Sequence, residues 1–336
     1  MIPPALGSGC LLARSAIRAS RYRGRLLSFI GAALLLLAVG APAQVPDQSA
    51  PLPVAEAGQE PITPIPQPPG ANPQKLALGE RLFMDRRLSH DGTLSCLSCH
   101  DVNTNGADGG RLTTARDGSK LSFRVPTVFN AALSFRLNWE GNFRTLEAQA
   151  ESSLENPANL ATSVTEVVGK LNADPDMVSL FNEAYGHAPD RASVLDAIAI
   201  YERSLLTPAS RFDKFLGGDT AALTAKEQDG YKLFKSLGCV SCHQGVNVGG
   251  NLYERYGIFH PLASPNPGIV RVPSLRNIAT TAPYFHDGSA PTLDDAVRKM
   301  AAAQLDRTLS DQQVQAIVAF LDALTGNYRG TPVVTP

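Results

Sequence analysis

Apolar residues in this chain recur chiefly at intervals of three and four, the spacing of one face of an α-helix. The first such run holds Leu76, Leu78, Leu82 and Phe83, and Asn72-Pro73 places a cap and a first-turn proline ahead of it. Asp190 opens another, with Val194, Leu195, Ile198, Tyr201 and Leu205 at helical spacing. The last holds Val314, Ile317, Val318, Leu321 and Leu324, with Gly326 as its expected stop. Ser163 with Glu166, Thr224 with Glu227 and Ser310 with Gln313 have the spacing of capping boxes. Strand-like alternation is scarce, so the pattern predicts a mainly α protein with long loops. Two of the runs end alike, in Leu82-Phe83 and Leu233-Phe234, and each is followed by a Cys-x-x-Cys-His segment. This echo predicts two similar halves, with a break at Gly217-Gly218.

The ends carry other signals. Residues 1–43 read as an export signal. Arg14, Arg18, Arg21, Arg23 and Arg25 form a basic stretch, Leu26 to Val39 is an apolar run of 14 residues, and Ala41-Pro42-Ala43 supplies small residues for cleavage. The run is short for the roughly 20 residues of a membrane-spanning helix, although an uncleaved anchor is the competing reading. Either way the body of the protein is expected in the periplasm. Residues 44–72 are proline-rich, including Pro61, Pro64, Pro66, Pro68 and Pro69, and read as a spacer. Without residues 1–43 the chain keeps 25 of its 30 basic residues and all 31 acidic ones, a formal net charge of −6. So mild and dispersed a charge argues against nucleic-acid binding and is compatible with a small electron-carrier partner.

The strongest chemical signal is the repeated pentapeptide, Cys96-Leu97-Ser98-Cys99-His100 and Cys239-Val240-Ser241-Cys242-His243. Cys-x-x-Cys-His is the attachment pattern of c-type haem: two thiols reach the two vinyl groups of one porphyrin, and the histidine lies under the iron. A thiol redox motif or half a zinc site is the alternative for a single copy. Here four of the 5 cysteines sit in the two motifs and the fifth, Cys10, lies in the export segment, so none is left for a disulfide or a four-cysteine zinc site. The expectation is two covalently bound haem c groups.

Further segments are Gly79-Glu80-Arg81-Leu82-Phe83, Leu94-Ser95-Cys96, Pro126-Thr127, Asn130, Trp139 with Gly141, and Leu146 through Gln149. They continue with Arg211-Phe212-Asp213, Pro273-Ser274-Leu275-Arg276-Asn277 and Thr281-Ala282-Pro283-Tyr284-Phe285-His286. In this order they resemble the bacterial di-haem cytochrome c peroxidases and their relatives, including the di-haem enzyme that matures methylamine dehydrogenase. The likeness runs from about Leu78 to Gly326. It implies two cytochrome c-like haem domains packed across an interface, at 73–216 (peroxidatic) and 217–330 (electron-transfer). His100 and His243 match the proximal iron ligands. Met300 matches the thioether that fills the sixth site of the second haem; sulfur there favours ferrous iron and raises the potential, as suits an electron acceptor. By spacing alone Met300 reads first as a core residue, and the family register makes it a ligand. Trp139, the only tryptophan, matches the interface residue on the electron path, a role compatible with that of a structural indole. Gln149 matches the glutamine that orients hydrogen peroxide. The resemblance further implies a small cytochrome c or cupredoxin as electron donor, a homodimer, and calcium held between the domains by backbone carbonyls matching Thr281 and Pro283.

Three positions depart from that pattern. Relatives carry a distal histidine in the stretch matching Arg111 to Leu121, yet no histidine occurs between His100 and His187, which predicts a first haem open in every redox state. Relatives use a glutamate to move a proton between the peroxide oxygens; Asn159 stands at that position, and an amide cannot do this at neutral pH. Glu151, Glu155 and Asp117 are the candidate substitutes. Arg124 replaces the asparagine that ligates calcium, and a guanidinium, having only donors, is expected to bond the vacated carbonyls instead. The expected activity is therefore a weakened or altered peroxidase. Oxidation of a partner protein's side chain and a non-catalytic electron carrier or haem sensor are the alternatives.

Overall fold

A pair of glycine-marked helix crossings organises the interior. The structure, a computed structural model, describes residues 60–108, 115–119, 123–262 and 267–336. The export segment and the first part of the proline-rich stretch lie outside these residues. Among the described residues the helices are α1 (Pro73–Met84), α2 (Cys96–Cys99), α3 (Leu146–Glu155), α4 (Val164–Asn172), α5 (Pro175–Tyr185), α6 (Arg191–Ser204), α7 (Arg211–Leu216), α8 (Ala225–Ser236), α9 (Leu293–Leu305) and α10 (Asp311–Asp322). Sheet among these residues is confined to two short antiparallel ladders, Tyr253–Arg255 with Ile269–Arg271 and Asn327–Tyr328 with Thr331–Pro332. The mainly α expectation holds.

Helix α1 packs across α6, and α8 across α10. A Cβ on Gly79 would collide with the Ala197 carbonyl and Tyr201, and one on Gly230 would collide with the Ala316 carbonyl and Phe320. Glycine is thus required at both crossings because the backbones touch. One turn on, Phe83 and Phe234 are buried against Tyr201 and Phe320, with ring centroids 5.2 and 5.1 Å apart. Each crossing seeds its own core, one around Leu82, Val167, Phe181 and Ile198, the other around Phe212, Tyr231, Ile317 and Phe320.

The echo between the halves extends further than the paired Leu-Phe segments. Asn130, Asn138 and Gly141 have positive φ, and so do Asn277, Phe285 and Gly288, each 147 positions later. The isolated bridges Leu137 to Phe143 and Tyr284 to Ala290 keep that offset. So do the helical turns Ala131–Leu133 and Ile278–Thr280, and the caps Thr145 of α3 and Thr292 of α9. The halves meet at Thr207, whose buried hydroxyl accepts from Asn130 Nδ2 at 2.8 Å and from Asn277 Nδ2 at 2.9 Å.

Most of the start signals act as expected. Asn72 accepts from two first-turn amides, Asp190 caps α6, and Thr224 and Ser310 form full capping boxes. Three expectations need correction. Ser163 caps α4 through the Glu166 amide, but the Glu166 carboxylate turns to Lys170 and His90 instead of closing a box. Helix α10 stops at Asp322, four residues before Gly326. Gly326 is instead the point where the chain passes the Thr207 carbonyl, which a Cβ would strike. The end of the expected spacer is packed: Ile62 and Ile65 are buried, Ile65 N–H donates to Asp213, and Thr63 O accepts from Arg276. Two isoleucines among the prolines provide the apolar surface that a free spacer lacks.

Candidate haem centres and the joint between them

Ser95 starts the first centre. Its capping box with Ser98 winds Cys96 to Cys99 into one helical turn, so both sulfurs and His100 leave a single loop of backbone. Burial pushes the Cys96 thiol up to about 12, aided by the nearby Glu202 charge, and raises Cys99. In the second centre burial likewise raises Cys239, to about 11, and Cys242. Thiol–disulfide catalysts need the opposite, a depressed thiol at an electropositive site, so the environment disfavours the redox-motif alternative. All four of these cysteines are unpaired.

The two histidines are held alike. His100 Nδ1 lies 3.3 Å from Gly106 O, and His243 Nδ1 lies 3.2 Å from Val248 O. A carbonyl only accepts, so Nδ1 carries the proton and Nε2 presents its lone pair. Burial lowers both imidazoles, His243 to about 4, which keeps them neutral and able to ligate. The accepting carbonyls belong to Gly106 and Val248, both at positive φ. Thr127 and Ser274 brace these turns, donating to Asn105 O at 2.6 Å and Asn247 O at 2.8 Å. Paired thiols beside an oriented neutral imidazole fit a covalently attached haem in each half. Among the described residues no three His, Cys, Asp or Glu side chains converge as a metal-ion site.

The matching helices α3 and α9 differ between the halves. In the first half α3 carries Gln149, whose Nε2 donates to Ser153 Oγ at 2.8 Å. In the second half α9 carries half-buried Met300. The candidate proton-transfer carboxylates are ion-paired or exposed. Glu151 pairs with exposed Arg191, Glu155 is exposed, and exposed Asp117 accepts from Ser119, which holds it below the usual carboxylate range. Asn159 is exposed in the turn after α3. Much of the 111–121 stretch lies outside the described residues.

Between the centres, Trp139 and His286 are equivalent positions of the repeat, and their rings meet edge to face at 6.3 Å. Phe123 packs on both, and Tyr256 lies 4.5 Å from His286. Backbone bonds are exchanged in the same symmetric way: Arg124 N–H donates to His286 O at 2.7 Å, and Arg271 N–H to Trp139 O at 3.0 Å. The indole Nε1–H donates to Arg124 O at 2.9 Å. The Arg124 guanidinium reaches Thr281 O at 3.3 Å and Ala282 O at 3.4 Å, and Arg271 Nε reaches Asn138 O at 2.9 Å. The contacts of Arg124 therefore include the expected carbonyl of Thr281, together with Ala282 in place of Pro283. Sequence reading passed over Arg271 and the pairing of Trp139 with His286. Pro126-Thr127-x-x-Asn130 and Pro273-Ser274-x-x-Asn277, aligned, would have given both. His90, His187 and His260 are exposed and take no part in either centre.

A family model described as di-haem cytochrome c peroxidase matches residues 73–221, and a cytochrome c model matches residues 227–325. A cytochrome c peroxidase of Escherichia coli (strain K12) is 40% identical over 287 residues, covering 80% of this chain and 62% of that protein, less than two thirds of its length. A cytochrome c551 peroxidase of Nitrosomonas europaea is 39% identical over 289 residues, covering 81% of this chain and 86% of that protein. Among solved structures, a MauG-like protein associated with microbial copper homeostasis matches with a TM-score of 0.66 and 28% identity, over 78% of this chain and 93% of its own.

Proposed function

Since this chain belongs to the bacterial di-haem cytochrome c peroxidase family, we propose that it reduces hydrogen peroxide to water in the periplasm, with electrons from a small cytochrome c or cupredoxin. The observation that carries the reading is an inequality between two otherwise matching centres. Both have paired cysteines and a histidine oriented through Nδ1, but at matching helix positions the second half carries Met300 where the first carries Ser153, with Gln149 one turn before it. Thioether on one side and polar side chains on the other suit an electron-accepting centre and a reacting centre.

Cys96, Cys99 and His100 would hold the first haem, and Cys239, Cys242, His243 and Met300 the second. When bound, the haems supply the one-electron redox chemistry, and each peroxide takes up two electrons and two protons to leave two waters. The chain's own residues bind and orient. Each Nδ1–H bond to a carbonyl fixes the ring plane and strengthens Nε2 as a donor. The Gln149 amide orients peroxide at the first centre. Trp139, packed between the halves against Phe123 and edge to face with His286, lies on the electron path. The Arg124 guanidinium, bonding the Thr281 and Ala282 carbonyls, would take the place that the resemblance gives to calcium.

Asn159 and the ion-paired or exposed state of the candidate carboxylates favour slow turnover, which keeps the carrier or sensor reading as the competitor. Steady-state peroxide consumption by haem-loaded protein with a reduced small cytochrome as donor tests the proposal. Peroxide-dependent oxidation of the donor, slower than in ordinary family members, is the expected result. Donor oxidation that does not respond to peroxide would remove the peroxidase reading, and mass spectrometry showing fewer than two attached haems would remove its premise.

A further inference from the structure

The repeat that pairs Asn130 with Asn277 and Gly141 with Gly288 runs without insertion into α3 and α9. Both helices begin directly after their capping threonines, Thr145 and Thr292, so Ser153 and Met300 are each the eighth helical residue. The helices are also supported alike, α3 packing on α6 and α9 on α10. Helical geometry then gives Ser153 and Met300 the same direction in their own halves. Ser153 is half-buried, and its hydroxyl is held by the Gln149 amide one turn earlier. Gln149 is equivalent to Ala296, so this polar pair has no counterpart in the second half.

We propose that Ser153 stands over the open face of the first haem, where its repeat mate Met300 caps the second, and that its hydroxyl contacts a ligand entering that face. The inference rests on the reading of Met300 as the sixth ligand. A serine side chain is too short and too hard to replace thioether on iron, so the site stays free for peroxide or an anion. Because Ser153 Oγ accepts the Gln149 N–H, its own O–H is left to donate. The pair would therefore offer an incoming oxygen a positioned donor.

The test uses the haem-loaded protein, with azide as the probe of the first haem's open site. Ser153→Met should convert the first haem from high-spin to low-spin and add a second thioether charge-transfer band. It should also weaken azide binding by at least about tenfold, the equivalent of 1.4 kcal/mol. An unchanged spin state with unchanged azide affinity would overturn the placement. Ser153→Ala is the smaller variant, in case the methionine prevents haem loading. It should weaken azide several-fold, in keeping with one lost hydrogen bond of about 1 kcal/mol, and an unchanged affinity would likewise overturn the proposal. The wild-type spectrum judges Met300 separately: no thioether band, or a band that survives Met300→Ala, would defeat that ligand while the azide results still decide Ser153.

Discussion

Glu202 is unlike its buried acidic neighbours. Asp213 pairs with Arg276 at 2.8 Å and Glu227 with Arg211, whereas Glu202 Oε2 has no partner and is 8% exposed. Its equivalent in α10, counted from the Ala197 and Ala316 crossings, is Leu321, an ordinary core residue. A leucine therefore satisfies the architecture, and the carboxyl is an addition made only beside the first centre. Burial, with Glu147 nearby, pushes it up to about 8 from an ordinary 4.5, so it is mostly protonated at neutral pH. The folded state holds this proton more tightly than the unfolded chain. Its contribution to stability is therefore most favourable below about pH 4.5, declines as pH rises through the window up to about 8, and is then level. Glu202→Gln should remove that slope. Denaturant unfolding of haem-loaded protein across the window should show the variant gaining on wild type by up to roughly 1.4 kcal/mol per pH unit. Parallel stability curves would place the carboxyl in solvent.

At the scale of elements, the two helix crossings are tightly constrained contacts. Gly79 and Gly230 each face a carbonyl of the partner helix with no room for a methyl group. Gly79→Ala and Gly230→Ala should each push the helices apart, with a cost of about 1–3 kcal/mol expected of an overpacked core. Gly169, in α4, has open space where a methyl group would stand, with no neighbouring atom within 4 Å, so Gly169→Ala should be neutral or stabilising by up to about 1 kcal/mol. Thermal unfolding of the three variants separates backbone contact from mere helix propensity. Equal effects in all three would show that the crossings are looser than their geometry implies.

For the molecule as a whole, the halves are joined by a buried polar contact as well as by the aromatic cluster. Thr207 accepts two asparagine amides, one from each half, and all three residues are buried. Thr207→Val keeps the shape and leaves both amides without that acceptor, so a loss of about 2–5 kcal/mol is expected, read as a lower calorimetric melting temperature. Arg124 adds a fixed cation at the joint, its charge destabilised by burial but its donors directed to Thr281 and Ala282 carbonyls. A tethered guanidinium needs no metal, so elemental analysis should find less than one calcium per chain and a chelator should leave the melting temperature unchanged. Arg124→Asn, which restores an oxygen ligand, should instead be stabilised by added calcium. Stoichiometric calcium in the wild-type protein would refute this account of Arg124.

Sequence by itself was enough for the mainly helical class, the caps at Asn72, Asp190, Thr224 and Ser310, and the two Cys-x-x-Cys-His segments. These are local properties: hydrophobic period, cap chemistry and ligand spacing act within a few residues. The orientation of His100 and His243, the burial of Glu202, the packing of Ile62 and Ile65, and the meeting of Trp139 with His286 depended on tertiary structure. The two histidines are set by carbonyls only six and five positions on, but at loop turns that no helical or strand period marks; the others depend on partners tens to hundreds of positions away, and burial is a property of those partners collectively. Gly326 shows the difference at one residue: read locally it ends a helix, but its neighbour in space is the carbonyl of Thr207.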